Sequence, residues 1–173
     1  PSRAQDASYL RELQQRAAAT QLHQQRYWHL LLHYRATLAG GYESEADEPG
    51  FFLSPQGKTD PQAELQATLA QFFSTDLVGR SRQPGRCAFI ARYHWLKNAL
   101  AIDEARLPPQ SCERFRAWFK ELNAASITLI FPSAYMNNPS SMFGHLLLRV
   151  DQRGHTEQTR LLAYTLNYSA RVT

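Results

Sequence analysis

Apolar residues recur at helical spacing through the first two thirds of the chain. Leu10, Leu13 and Ala17 share one face of an opening helix that Asp6 or Ser8 can cap. A second helix is predicted from about residue 21 to the glycine pair at 40–41, because glycine readily ends a helix. Its apolar stripe consists of Leu22, Trp28, Leu31 and Leu32.

Three further helices are predicted before residue 123. Asp60 followed by Pro61 is typical of a helix N-cap with proline in the first turn, and the buried face of this third helix follows. A fourth helix is predicted after residue 85, and Ser111 can cap a fifth. The apolar residues of these three helices are Leu65, Leu69 and Phe72, then Tyr93, Trp95, Leu96 and Leu100, then Phe115, Trp118, Phe119 and Leu122.

The pattern changes from helix to strand after residue 125. Residues 126–131 are rich in β-branched side chains, and residues 146–150 and 161–168 form two more apolar runs. Residues 152–155 predict a turn that makes the second and third strands antiparallel neighbours. The sequence therefore predicts a single α+β domain over residues 1–173, with a helical part at about 6–122 and a small antiparallel sheet at about 126–170.

Composition and charge exclude several classes of protein. The chain has 19 Lys and Arg against 15 Asp and Glu, a net charge of +4, and the scattered basic residues argue against a dedicated nucleic-acid binder. The longest apolar runs fall far short of the roughly 20 residues that cross a bilayer. The first six residues contain neither a basic nor an apolar segment, so we expect that any export signal is absent from this sequence. We also predict no bound cofactor.

Cys87 and Cys112 are the only cysteines. No second Cys or His pair stands at short range from either of them, so we predict no metal site. A helical hairpin that brings them together would allow a disulfide in an oxidising compartment. The alternative is a pair of buried, unpaired side chains in a cytosolic protein. The spacing alone leaves both interpretations open.

Candidate chemistry is concentrated in residues 131–145, between the first two predicted strands. This segment is rich in Asn and Ser and ends on Gly144-His145, at the start of an apolar strand. A strand end can hold an imidazole rigidly while the neighbouring loop closes over a substrate. Alternatively, His145 only hydrogen-bonds a loop carbonyl and completes the strand.

Alternation along the second strand predicts the surroundings of His145. It places His145 on the same face as Leu147 and Arg149, at a position where Gly144 lets the backbone turn tightly. The imidazole would then be accessible in a cleft formed by the strands and the loop that starts at Tyr135. The residues predicted to face the core are Leu146, Leu148 and Val150.

Polar side chains of the loop have two possible roles. Ser141 stands four residues before His145 and could be a nucleophile that the histidine activates. However, the sequence has no Gly-x-Ser-x-Gly motif of the kind that α/β-hydrolases use. We favour the second role, in which Asn138 and Ser141 hold the loop in place by hydrogen bonds to backbone groups.

Four ordered motifs give the sequence a family resemblance. They are GYESEADEPGFFL at 41–53, DPQAEL at 60–65, CAFIARYHWL at 87–96 and NPSSMFGH at 138–145. Together they resemble the N-terminal periplasmic domain of the Lnb-type lipoprotein N-acyltransferase family, over nearly the whole chain. The resemblance implies the periplasm of a Gram-negative envelope and a membrane-anchored parent protein that continues beyond Thr173.

The resemblance also implies a fold and a reaction. The fold would be a circularly permuted papain-like domain of the NlpC type, in which the catalytic His precedes the Cys. His145 matches the family's histidine, the nucleophilic Cys would lie beyond Thr173, and Cys87 would pair with Cys112. The reaction would move a fatty acyl chain from a phospholipid to the amino terminus of a diacylated lipoprotein, with this fragment alone inactive. The alternatives are an amidase or peptidase acting on cell-wall peptide and a non-catalytic envelope interaction domain.

Overall fold

The computed structural model of the protein describes residues 3–130, 146–154, 156 and 163–167. It confirms an α+β chain, which divides into two compact units at residues 1–112 and 113–173. The helices of the first unit are α1 (Arg3–Ala19), α2 (Arg26–Leu31), α3 (Pro61–Gln71), α4 (Gly85–Ala88) and α5 (Ile90–Ala99). Its strands are β1 (Tyr34–Ala36), β2 (Tyr42–Ser44), β3 (Leu77–Val78) and β4 (Gln83–Pro84). The second unit contains α6 (Glu113–Leu122), β5 (Ala124–Ile130), β6 (Leu147–Gln152) and β7 (Tyr164–Asn167).

The core of the first unit is built from the apolar faces that the sequence predicts for its helices. Tyr9, Leu13 and Ala17 recur every four residues along α1, and each is 2% exposed or less, whereas the predicted Leu10 is only partly buried. Trp28 of α2 is fully buried, and its indole N–H donates to the carbonyl of Pro61 at 2.9 Å. Other fully buried side chains of this core are Leu32, Leu65, Leu69, Phe72 and Leu96.

The N-terminus of α3 follows the prediction. One carboxylate oxygen of Asp60 accepts hydrogen bonds from the backbone N–H groups of Gln62 and Ala63, both at 2.9 Å. Pro61 occupies the first turn, where its missing N–H costs nothing. The cap therefore fixes the residue at which α3 begins.

A β-hairpin replaces the second half of the helix predicted over residues 21–40. α2 ends two residues before His33, which takes a left-handed backbone with φ of 56°. The chain then forms β1 and β2, which pair antiparallel with Tyr34 opposite Ser44. Gly40 and Gly41, with φ of 87° and 84°, belong to the loop of this hairpin, so the prediction that they end a helix is wrong.

A disulfide joins Cys87 of α4 to Cys112. Their Cα atoms are 5.2 Å apart, and the bridge joins positions 25 residues apart in the sequence, on either side of α5. This is the pairing that the family resemblance implies. It leaves neither cysteine of the chain with a free thiol.

Three antiparallel strands form the sheet of the second unit, in the order β5-β6-β7. Val150 in the middle strand lies between Ile127 of β5 and Tyr164 of β7. The three strands therefore stand where the sequence predicts them, and the antiparallel pairing of the second and third is confirmed. Within the part of the chain that the structure describes, no helix is long and apolar enough to span a bilayer.

The two faces of this sheet differ in polarity. One face carries Ile127, Leu129, Leu148, Val150, Tyr164 and Leu166. Val150 is 7% exposed, but Leu148 is 38% exposed and the neighbouring Leu146 is 45% exposed. The prediction that all three face a core is therefore right for Val150 and wrong for the two leucines. Alternation identifies the apolar side of a strand, but it does not show that another layer covers that side.

Candidate functional site

The side chains predicted to form the site all fall within residues 131–145, which lie outside the described residues. They are Tyr135, Asn138, Ser141, Gly144 and His145. Their roles therefore stay predictions. The structure does describe the strands on either side of this segment and the groups those strands present.

The segment connects neighbouring strand ends. β5 ends at Ile130, β6 begins at Leu147, and these two residues lie opposite each other in the antiparallel pair. Alternation along β6 gives Leu147, Arg149 and Asp151 one face, which is the face that the sequence assigns to His145. This face is the more polar one of the sheet, and the position of His145 on it stays a prediction.

A hydrogen-bonded network lies on the polar face of β5 and β6. The Nε of Arg149 donates to one carboxylate oxygen of Asp151 at 2.7 Å, and these side chains are 20% and 18% exposed. The other oxygen accepts from the hydroxyl of Thr128 and, at 3.5 Å, from that of Ser126. Because Asp151 already accepts from three side chains, it is suited to holding its neighbours in place rather than to removing a proton from a substrate.

The first unit contains a second concentration of charge, which the sequence analysis missed. Glu64 of α3 is 0% exposed and Arg92 of α5 is 3% exposed, and their charged groups meet at 2.7 Å. The carboxylate also accepts from the backbone N–H of Leu53 at 3.0 Å and of Ser54 at 2.8 Å. The guanidinium donates to the carbonyl of Phe51 at 2.6 Å.

Helical spacing contained a signal for this pair. The buried residues at the start of α3 follow the i, i+3, i+4, i+7 pattern of one helix face, and they are Pro61, Glu64, Leu65 and Thr68. Arg92 is buried on α5 together with Tyr93 and Leu96. A charged residue at a position of an apolar face predicts a buried partner, because an unpaired buried charge is very costly.

Burial is the largest cause of the pKa shifts of Glu64, Arg92 and Tyr34. It raises the pKa of Glu64, against the hydrogen bonds from Ser54 and Leu53 and the attraction of Arg92. It lowers the pKa of Arg92, against the attraction of Glu64. Burial and, after it, the charge of Glu64 also raise the pKa of Tyr34, whose hydroxyl donates to the carbonyl of Gly57. All these groups are satisfied and closed to solvent, so the cluster anchors the 51–57 loop and offers no reactive group.

Gly57 is required by this packing. The carboxylate of Glu64 lies where a Cβ at position 57 would stand, so a larger residue would displace the buried charge. The 51–57 loop therefore packs so closely against Glu64 of α3 that only glycine fits at position 57.

An open cleft of about 500 Å³ lies on the first unit, lined by Phe51, Arg80, Phe89 and neighbouring residues. Its lining contains no histidine and no cysteine, so it lacks the Cys–His pair that the family resemblance implies. Among the described residues, no three His, Cys, Asp or Glu side chains are grouped so that they could hold a metal ion.

The fold and the disulfide indicate an exported protein. An α+β chain whose two cysteines are bridged is suited to an oxidising compartment such as the bacterial periplasm. Residues 114–173 match the model of the Lnb N-terminal periplasmic domain. The match includes His145 and its motif, and the family's description supports a periplasmic location.

Residues 20–99 match a different model, described as a domain of unknown function (DUF7843). The motifs at 41–53, 60–65 and 87–96 fall within this second match, whereas the motif at 138–145 falls within the first. Each match lies within one of the two compact units. The single-domain prediction stays a prediction, because a compact unit need not fold alone. Searches of curated proteins and of solved structures gave no significant match.

Proposed function

We propose that this chain is the N-terminal periplasmic part of a lipoprotein N-acyltransferase. The observation that carries the proposal is the family match over residues 114–173, which contains the Asn138 to His145 motif. The substrates are a phospholipid as acyl donor and a diacylated lipoprotein as acceptor. The parent protein continues beyond Thr173 and is anchored in an envelope membrane.

The reaction has two steps with one covalent intermediate. A cysteine thiolate beyond Thr173 attacks the carbonyl carbon of the donor ester, forms a thioester and releases a lysophospholipid. The amino terminus of the lipoprotein then attacks the thioester, forms an amide and releases the thiolate. His145 accepts the proton of the thiol and passes it to the leaving oxygen of the lysophospholipid in the first step. In the second step it accepts the proton of the amine and returns it to the released thiolate.

The position of the nucleophile is supported by the state of the cysteines in this chain. Cys87 and Cys112 are bridged to each other, so neither supplies a thiolate. The proposed fold is permuted papain-like, with the catalytic histidine before the cysteine in the chain, which accounts for the lack of a free thiol in residues 1–173. The polar face of β5 and β6, with its Arg149–Asp151 pair, is the surface on which we place the imidazole.

Acyl transfer to a synthetic diacylated lipopeptide tests this function. The full-length parent, supplied with phospholipid vesicles, is expected to add one acyl chain, which mass spectrometry of the peptide detects. Residues 1–173 alone are expected to add none. Acylation by residues 1–173 alone would contradict the position of the nucleophile, and Ser141 would then become the leading candidate.

The same preparation separates the alternatives. Cleavage of cell-wall peptide by the parent, without lipopeptide acylation, would establish the amidase or peptidase. A parent that lacks a downstream cysteine and turns over neither substrate would establish the interaction domain. Trapping a hydroxylamine-sensitive acyl group on the parent would support the thioester step directly.

A further inference from the structure

Helix α6 has an apolar face and a basic border. Phe115, Trp118, Phe119 and Leu122 recur at intervals of three and four residues, so they share one side of the helix. Arg114 stands one turn before Trp118 and Arg116 stands one turn before Phe119, so the two arginines border this apolar side. Lys120, Glu113 and Glu121 lie on the remaining surface.

Most of the apolar side is open to solvent. Trp118 is 52% exposed and Phe119 is 58% exposed. The ring of Phe115 lies 5.9 Å from that of Trp118 and 5.7 Å from that of Phe119, centroid to centroid, so the three rings form one patch. Arg114 and Arg116 are exposed as well. Large aromatic side chains in such a patch mark a surface that binds a partner.

The helix is held to the sheet through its other side. The side-chain amide of Gln152 donates to the last backbone carbonyls of α6, those of Glu121 and Leu122, at 3.3 and 3.0 Å. The hydroxyl of Tyr164 donates to the carboxylate of Glu121 at 3.0 Å. These contacts use the polar side and the C-terminal end, so they orient α6 without covering its aromatic patch.

We propose that α6 lies in the interface of an anionic phospholipid bilayer. Trp and Phe side chains partition to the boundary between head groups and acyl chains, and Arg side chains at the border of the same face meet anionic head groups. Three basic residues against two acidic ones give the helix the charge that complements such a surface. The ion pair of Arg116 with Glu113 is exposed and weak, so lipid phosphate can compete for this arginine.

This inference goes beyond the proposed function, because membrane binding needs no nucleophile. If residues 1–173 do not bind vesicles while the parent transfers acyl chains, the membrane proposal alone is overturned. If residues 1–173 bind vesicles while the parent acylates nothing, the enzyme alone is overturned.

Intrinsic fluorescence of the 173-residue chain gives the first readout. Trp28 is buried and stacks at 5.6 Å on Trp95 in the first unit, whereas Trp118 is the exposed tryptophan. Vesicles of phosphatidylethanolamine and phosphatidylglycerol should shift the emission to shorter wavelength and protect it from an aqueous quencher. Trp118→Phe should abolish the shift while the chain still floats with the vesicles. A shift that persists in Trp118→Phe would overturn the proposal.

Vesicle flotation with matched variants gives the second readout. Trp118→Ser combined with Phe119→Ser should weaken partition to the anionic vesicles by at least about tenfold. The control is Leu129→Ser combined with Leu166→Ser, which removes two exposed apolar side chains from the sheet and should leave partition unchanged. Equal losses in both double variants would overturn the assignment to α6.

Charge reversal gives the third readout. Arg114→Glu combined with Arg116→Glu should weaken partition by about tenfold, because each basic residue at the surface contributes separately. Arg11→Glu combined with Arg26→Glu makes the same change of net charge on the first unit and should have a much smaller effect. Vesicles of phosphatidylcholine alone should bind weakly. Absence of vesicle binding would overturn the proposal. A dimer that the Trp118 and Phe119 substitutions dissociate would also overturn it and would identify a protein interface instead.

Discussion

Glu64 and Arg92 form a buried ion pair in the first unit. Both side chains are almost fully buried, and the carboxylate joins α3, α5 and the loop around Ser54 through one set of hydrogen bonds. Charges removed from water to this extent are tolerated only when each has its partner. The pair therefore stabilises the arrangement of these elements only as long as both members are present.

Substitution of Glu64 tests that dependence. Glu64→Gln keeps the side-chain volume but leaves Arg92 as an uncompensated buried charge, so we expect the free energy of unfolding to fall by about 3 kcal/mol. Urea denaturation measures the change. The control is Glu12→Gln, because Glu12 is 46% exposed and pairs with Arg106 at the surface, where the loss should stay below about 1 kcal/mol. Equal losses for the two variants would contradict the role given to Glu64.

Glu104 predicts a dependence of stability on pH. The hydrogen bond from Lys97 and, after it, the one from Tyr93 lower the pKa of Glu104 from its ordinary value of 4.5. A lowered pKa means that folding favours the carboxylate, so its contribution is present above 4.5 and is lost as the pH falls through the lower folded value. Glu104→Gln should therefore be less stable than the wild type at neutral pH.

Denaturation curves over a range of acidic pH values check this prediction. The difference in unfolding free energy between the wild type and Glu104→Gln should shrink as the pH is lowered below 4.5. Lys97→Gln should reduce the same dependence, because it removes the principal cause of the shift. A difference that stays constant with pH would exclude the carboxylate as its source.

Among the elements, the bridge between α4 and Cys112 gives the clearest prediction. In an oxidised preparation, reduction should increase the intact mass by two hydrogen atoms. Cys87→Ser combined with Cys112→Ser should lower the free energy of unfolding by about 3 kcal/mol, because the open chain regains the entropy of a loop of this size. Reductant should lower the unfolding midpoint of the wild type and leave that of the double variant unchanged. A mass that does not respond to reductant would contradict the bridge.

Helices with a continuous apolar face could be predicted from the sequence, and short strands could not. α1 and α3 repeat their apolar residues over several turns, and Asp60 gives α3 a local start signal. β1 has three residues, and only Leu32 and His33 separate it from α2, so its Tyr34 continues an apparent helical stripe. Gly40-Gly41 is a signal both for the end of a helix and for a hairpin loop, and only the pairing of Tyr34 with Ser44 decides between them.

The strand that follows the candidate site was predictable in part, for a related reason. Alternation along β6 correctly separated the side of Arg149 from the side of Val150, because strand periodicity is a local property. The contacts of Asp151 with Thr128 and Ser126 depend on the register of β5 against β6, which a single strand does not reveal. The buried Glu64–Arg92 pair likewise joins two helices that are distant in sequence.

At the scale of the whole molecule, the two units differ in how they bury their apolar side chains. Among the described residues, the first unit contains almost all of the buried core, whereas the second contributes Val150. The second unit exposes apolar side chains on the sheet and on α6, including Leu129 and Trp118. We assign the α6 surface to a bilayer, and this assignment agrees with a phospholipid as acyl donor.

Acyl transfer by the full-length parent carrying His145→Ala is the most direct test of the proposed function. The variant should fold and bind phospholipid normally, because the substitution removes a base rather than core volume, and its rate of lipopeptide acylation should fall by at least about a hundredfold. The control is His94→Ala, the same substitution at an exposed histidine of α5, which should acylate at the wild-type rate. Normal acylation by His145→Ala would contradict the catalytic role of His145 and the mechanism that depends on it.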